Sequence, residues 1–191
     1  MNPYPLVLAS ASPRRLSLLA QIGVIPDRVI ASDIDETPLR NEQPRPYARR
    51  MALTKARALD RADAAVLGAD TVVAVGRRIL PKAETEADAR HCLTLLSGRR
   101  HRVMTAVVLI TPGGRITERL VESIVTFARL TGRDIDAYIG SGEWSGKAGG
   151  YAIQGRAAGF IRFLSGSHSN VVGLPLFETA SLLRGQGWSL P

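Results

Sequence analysis

The chain carries charged residues at positions where an ordinary fold avoids them, and these define its candidate chemistry. In LASASPRRLSLL, residues 8–19, Ser12 reads as a helix N-cap and Pro13 as the first helical residue. Leu16, Leu19 and Ala20 recur at helical spacing, and Gly23 ends the segment. Arg14 and Arg15 therefore fall in the first turn, at the positive end of the helix dipole, where a cation costs roughly 0.3–1 kcal/mol. Asp70 interrupts AVLGADTVVAV, residues 65–75, the most apolar strand-like run. A buried carboxylate there needs a cation, a metal or strong donors, unless it sits at a strand end and caps a turn. Lys55 shares a helical face with Ala48, Ala52 and Leu59, which either buries it or lets its stem snorkel to the surface. Asp35 and Glu36 precede Thr37–Pro38 in an acidic turn flanked by apolar residues.

Taken singly, each has a bland explanation. Together they form a set, with Arg14, Arg15, Lys55 and Lys82 as cations and Glu36 and Asp70 as anions. Cations converging on a helix N-terminus suit a polyphosphate. Two carboxylates beside it suit Mg²⁺, which takes one or two carboxylates together with phosphate oxygens and waters. On this reading the arginines are tolerated because a more strongly negative ligand docks against them. GEWSGKA, residues 142–148, invites comparison with a P-loop, but three residues, not four, separate its glycines. Ala148 also stands where a Ser or Thr should hold magnesium, and no strand leads in, so this stretch is not expected to bind phosphate by that route.

The elements that must position these groups alternate in type. A strand is expected over 5–10, a helix over 13–22, a turn around 29–38, a helix over about 46–59 and a strand over 65–75 buried on both faces. A helix capped near Thr85 and stopped by Gly98 follows, then strands in VMTAVVLI and RITERLVESIVTFA joined at TPGG. A short helix over 133–140, strands in YAIQG and AAGFIRFLSG, and a helix from Pro175 to Arg184 complete the chain. The pattern is α/β, a central mixed sheet flanked by helices, in one domain over 1–191 with no repeat or linker. At 191 residues and 45% hydrophobic composition, the chain is long enough to bury a core. Cys92, the one cysteine, falls on an apolar helix face with Ala89, Leu93 and Leu96 and reads as a core residue in a reducing compartment. No apolar run reaches the roughly 18 residues of a membrane span, and the N-terminus lacks the basic region of a secretory signal, so a cytoplasmic location without membrane partners is expected. The net charge of +8 points to an anionic partner.

LASASPRR, DET, GADTVV, the lysine of LPKAETEADA, LSGRRHRVMTAV, GYAIQG and GSHSNVVGLPL resemble, in order and over nearly the whole chain, the motif series of the Maf family. The resemblance implies an inosine-triphosphatase-like (Maf/Ham1) fold and hydrolysis of a nucleoside triphosphate to monophosphate and diphosphate with Mg²⁺ or Mn²⁺. It implies catalytic roles for Asp70, Glu36, Lys55 and Lys82, with Asp70 as proton acceptor, and metal binding by Glu36 and Asp70; whether Asp70 acts as base or as metal ligand stays open. Substrate binding would fall to Ser10, Arg14, Arg15, Thr71 and Gln154, of which Ser10, Thr71 and Gln154 rest on the resemblance alone. Arg14 after the proline, Thr71 after the aspartate and Gln154 in IQG resemble the family branch acting on dTTP and UTP. A second branch, preferring 7-methyl-GTP, carries tryptophan and glutamate at the first and last of these. Modified pyrimidine triphosphates are further candidates, in a house-cleaning role. Gln154 offers a carbonyl and an NH₂ side by side, which match the O4 acceptor and N3–H donor of uracil or thymine.

This chain departs from the family pattern in placing Lys82 between Pro81 and Ala83 instead of after glycine and before proline, and His168 where tyrosine is frequent. Two other classes compete. A nucleic-acid-binding module would use the charge and the pairs Arg49–Arg50, Arg77–Arg78 and Arg99–Arg100. Aromatics are only 5% and do not interleave with these arginines, so nucleic acid is disfavoured as a partner. A cell-division regulator acting by protein contact follows from the septum-formation names once given to such proteins, and a homodimer is an open oligomeric state.

Overall fold

The computed structural model describes residues 2–59 and 62–190. Its centre is β3 (Ala65–Val75), whose largely apolar sequence is covered on both sides. Val66 and Val72 pack against Ala48, Met51, Ala52 and Ala56 of α2 (Pro44–Arg57). The intervening Ala65, Leu67 and Ala69 pack on the other face against Leu18 and Leu19 of α1 (Pro13–Gln21) and Leu182 and Leu183 of α6 (Leu176–Arg184). Alternation of side chains along a strand thus feeds two cores from one segment.

β1 (Leu6–Ala9) runs parallel to β3 and to β2 (Arg28–Ile30). On the other side β6 (Arg100–Ile110) pairs antiparallel with β3, β7 (Ile116–Phe127) with β6, and β9 (Ile161–Ser165) with β7. The mixed sheet has the order β2-β1-β3-β6-β7-β9, with β4 (Arg78–Leu80) hairpinned onto the end of β3. β5 (Lys82–Ala83) and β8 (Lys147–Ala148) form a separate small ribbon. Helices α3 (Glu86–Leu96) and α4 (Gly132–Gly140) cover a third core in which Cys92 is fully buried among Ala89, Leu93 and Leu96, as its spacing implies. α5 (His168–Val172) leads into α6. Among the described residues no helix is long and apolar enough to cross a membrane.

Two features of this framework create the site. β1 ends opposite Gly68, while β3 continues, so Asp70 and Thr71 lie just beyond the carboxyl end of β1, where open α/β sheets leave a crevice. Gly68 also admits α2 unusually closely. A Cβ there would stand 2.5 Å from the Ala52 carbonyl oxygen and 2.9 Å from Ala56, so only glycine lets the helix backbone rest on the strand and bring Lys55 to Asp70.

The sequence expectations differ from the structure at several points: β2 enters the stretch expected to be a turn over 29–38, and the short β4, β5, β8 and α5 fall where no element is expected. Ser12 occupies the N-cap of α1 but its hydroxyl makes no capping bond; its own N–H donates to Ser10 Oγ at 3.2 Å. YAIQG is a turn, not a strand, and Arg156–Phe160 is a 3₁₀ helix before β9. The buried residues Tyr151 and Ile153 reach the α3–α4 core. The segment's backbone donors meanwhile go to Tyr138 Oη (from Ala152), the Ala152 carbonyl (from Gly155) and the Glu143 carboxylate (from Arg156), leaving no ladder to join. A short apolar run by itself does not separate these outcomes.

Candidate active site

Arg15 springs from the first turn of α1 but does not face solvent. Its Nε donates to the Gly173 carbonyl at 2.9 Å, Nη1 to Ser10 Oγ at 3.0 Å and Nη2 to Thr71 Oγ1 at 3.2 Å. Thr71 lies opposite Thr105 in the β3–β6 register; their hydroxyls are 3.0 Å apart, and Thr105 donates onward to the Asn170 carbonyl. The guanidinium therefore ties β1, β3 and the segment after α5 together. Burial pushes its pKa down, the charge of Asp70 opposes that, and neighbouring Arg14 adds to it. Because its three partners are neutral, its positive charge stays uncompensated by any direct contact. Arg14, half-buried at the same cleft, makes no hydrogen bond or ion pair among the described residues, and burial lowers its pKa too.

α2 supplies the opposite wall. Lys55 and Asp70 are 5% and 4% exposed, and Lys55 Nζ donates to Asp70 Oδ1 at 2.6 Å and contacts Glu36 Oε1 at 2.9 Å. Lys82, carried on β5, donates to the second oxygen of Glu36. Glu36 thus bridges two ammonium groups, and its loop is fastened to α2 by Tyr47 Oη, which donates to the Glu36 carbonyl at 2.7 Å. Burial pushes the Glu36 carboxyl up, but hydrogen bonds from Lys82 and Lys55 outweigh it and hold the group below its ordinary range. For Asp70 burial dominates and raises the pKa despite Lys55 and Arg15. Two carboxylates that meet the same lysine are thereby poised differently, one held ionised and one nearer to accepting a proton.

All nine residues that the sequence nominated line one cleft of about 360 Å³. Ser10, Arg15, Thr71 and Asp70 form its floor, Lys55, Glu36 and Lys82 one wall, and Arg14 and Gln154 the rim, where Gln154 is exposed and forms no hydrogen bond among the described residues. Sequence reasoning missed Tyr151, the Gly173 carbonyl and Lys147. The carbonyl has no signature in sequence. Lys147 lies in GEWSGKA, and the structure agrees that this is no P-loop, since neither a leading strand nor a following helix frames it. The stretch nonetheless lines the cleft.

Among the described residues no group of three or more His, Cys, Asp or Glu could cage a metal. The donor set, Glu36 and Asp70 converging on one lysine, fits a hard divalent cation that takes its remaining ligands from phosphate and water.

The sequence model of the Maf-like protein family matches residues 5–186. The chain belongs to this family. A relative from Granulibacter bethesdensis named dTTP/UTP pyrophosphatase is 66% identical, covering 96% of this chain and 94% of its own length. A protein of the same name from Caulobacter vibrioides is 64% identical, covering 96% of both. Among solved structures, the Ham1 proteins of Staphylococcus aureus (TM-score 0.54, 17% identity) and Coxiella burnetii (0.51, 16%) each cover 95% of this chain and 99% of their own. At those identities the likeness shows the fold alone, and it is the Ham1-like fold that the motifs imply. The Maf-like motifs are scattered over residues 8–176 in sequence, and all of them except LSGRRHRVMTAV, which leads into β6, contribute residues to the cleft.

Proposed function

We propose that this Maf-like chain, acting as one domain, hydrolyses nucleoside triphosphates to the monophosphate and diphosphate. dTTP and UTP are the preferred substrates and modified pyrimidine triphosphates lie within reach. The observation that carries the reading is the buried Lys55–Asp70 pair joined through Glu36 to Lys82 in a cleft that also holds uncompensated arginines. Such a site accepts a polyphosphate and keeps a carboxylate base beside it. The relatives' name supplies the substrate class.

Water attacks the α-phosphorus. A new P–O bond forms, the bond from the α-phosphorus to the oxygen bridging to the β-phosphate breaks, and diphosphate leaves with that oxygen. Asp70, its pKa raised by burial, takes the proton from water while Lys55 holds its Oδ1 in place. Lys82 and Arg14 meet phosphate oxygens, and Arg15 holds Ser10 and Thr71 in register at the floor. Glu36 and Asp70 would hold a divalent cation, Mg²⁺ or Mn²⁺, which when bound neutralises charge on the phosphate oxygens. At the rim, Gln154 pairs its amide with N3–H and O4 of the pyrimidine.

A panel of nucleoside triphosphates incubated with Mg²⁺, scored for diphosphate release, tests the reading. Release from dTTP and UTP above the purine triphosphates is expected, and isotope-labelled water should enter the monophosphate. Label confined to diphosphate, or orthophosphate as the first product, would overturn it.

A further inference from the structure

The loop between α4 and Tyr151 is fastened to the segment that carries Lys82. Ala148 pairs with Lys82 in the two-residue ribbon, and on either side Gly146 N–H donates to the Ala83 carbonyl at 2.9 Å and Gly149 N–H to the Pro81 carbonyl at 3.0 Å. Gly149 has φ +68°, and a Cβ on it would stand 2.8 Å from Val73 of β3, so the loop lies flush against the central strand. One rigid ribbon therefore carries two lysines into one cleft.

Lys147 differs from Lys82 in having no carboxylate within ion-pair distance among the described residues. Its Nζ donates to the carbonyl of Ser145 in its own loop at 2.7 Å. Glu143, the acidic residue of this loop, is already engaged by the Arg156 N–H at 2.8 Å. Across the cleft stands Arg14, likewise unpaired among the described residues. Burial and the Arg14 guanidinium lower the Lys147 pKa, and the more distant charge of Glu143 opposes them without prevailing. Two half-buried cations that repel each other and make no direct ion pair among the described residues are stabilised when an anion enters between them. Lys82 and Lys55 are, by contrast, already neutralised by Glu36 and Asp70.

We propose that Lys147 is a polyphosphate-binding residue, exchanging the Ser145 carbonyl for a phosphate oxygen that it shares with Arg14. This rests on the triphosphate reading of the cleft. The exchange keeps the ammonium hydrogen-bonded throughout, and the ribbon brings Lys147 and Lys82 to the same phosphate chain.

The test compares wild type, Lys147→Met and Lys147→Arg by calorimetric titration with inorganic diphosphate, by KM for dTTP, and by binding of thymidine as an uncharged control. Loss of one charge-assisted hydrogen bond should weaken diphosphate binding and raise KM by about tenfold or more in Lys147→Met. Lys147→Arg should recover most of this, and thymidine binding should not change. Unaltered diphosphate binding and KM in Lys147→Met would overturn the proposal, as would an equal loss for thymidine, which would make the side chain a support of the loop. Failure of wild type to bind diphosphate would overturn it as well. If wild type binds diphosphate through Lys147 but hydrolyses no triphosphate, the proposed reaction falls and the anion site stands.

Discussion

Asp70→Asn separates the charge of the central carboxylate from its shape. In the native chain Asp70 Oδ1 accepts from Lys55 at 2.6 Å, and both groups are almost wholly buried. Removing one member of a buried ion pair costs about 3–5 kcal/mol when the other is left alone. Lys55 is not left alone, because Glu36 stays at 2.9 Å and the asparagine amide oxygen can still accept. The expected cost is therefore nearer to that of weakening one charged hydrogen bond, about 1–3 kcal/mol. Part of it is offset because the variant no longer confines an ionised carboxylate in a desolvated place. Turnover should fall far more, by about 10²–10⁴-fold, since the neutral amide cannot take a proton from water. The acid limb of the pH–rate profile should also change. Wild-type turnover should rise with pH as Asp70, whose pKa burial raises, becomes ionised, and the variant should lose that limb. Urea unfolding and diphosphate release, measured on the same samples, distinguish the two effects. A variant that unfolds near the wild-type midpoint and loses less than tenfold in turnover would remove Asp70 as the proton acceptor.

Gln154→Glu puts an acceptor and a charge opposite O4 of the pyrimidine, so turnover of dTTP and UTP should fall by a factor corresponding to more than about 1 kcal/mol, and by more than for purine triphosphates; equal losses for all bases would assign Gln154 to the fold or the phosphates. His101 is buried against Tyr151 Oη at 2.8 Å, and burial pushes its pKa down to about 4. The native state keeps it neutral while the unfolded chain binds a proton below about pH 6.5, so stability should drop by about 3 kcal/mol as pH falls from 6.5 to 4. That component should be missing from urea titrations of His101→Gln, and an unchanged slope would refute it. Gly68→Ala should lift α2 from β3, costing about 1–3 kcal/mol of stability and at least tenfold in turnover by parting Lys55 from Asp70; full activity would show that the close approach is dispensable. Chelation of divalent ions should abolish turnover, and activity surviving an excess of chelator would exclude the carboxylate-held cation.

The long strands and every α-helix except the five-residue α5 were legible because each carries a local signal. α3 has a capping box of Thr85 and Asp88, β3 an apolar run buried on both faces, and β6 and β7 a glycine-containing turn between them. The site was legible for a different reason: charges that cost energy in their local setting need partners, and Asp70, Lys55 and Glu36 are one another's partners. Contacts made through backbone left no such trace. The Gly173 carbonyl that anchors Arg15 is a main-chain group with no side-chain pattern to announce it, and the ribbon that brings Lys147 beside Lys82 is only two residues long on each side. YAIQG misled because apolar residues packed from a turn look like those packed from a strand. The different settings of Arg14 and Arg15 also needed three dimensions, since adjacent residues on a helix point about 100° apart. One reaches the cleft without a partner, and the other is built into its floor.

That divergence bears on how the site treats substrate and product. Lys55 and Lys82 balance Glu36 and Asp70, so this quartet carries little net charge of its own. The uncompensated charge of the cleft comes from Arg14, Arg15 and Lys147. These groups are partly or wholly withdrawn from water, which strengthens their attraction for an anion compared with the same charges on an open surface. A triphosphate brings enough negative charge to engage all of them, whereas the nucleoside monophosphate and the diphosphate each bring only part. Cleavage thus divides one tightly held polyanion into two weaker ligands, and neither retains the full set of cations that drew the substrate in. The arginine pair that a helix N-terminus should reject is, on this account, what allows the cleft to favour substrate over either product.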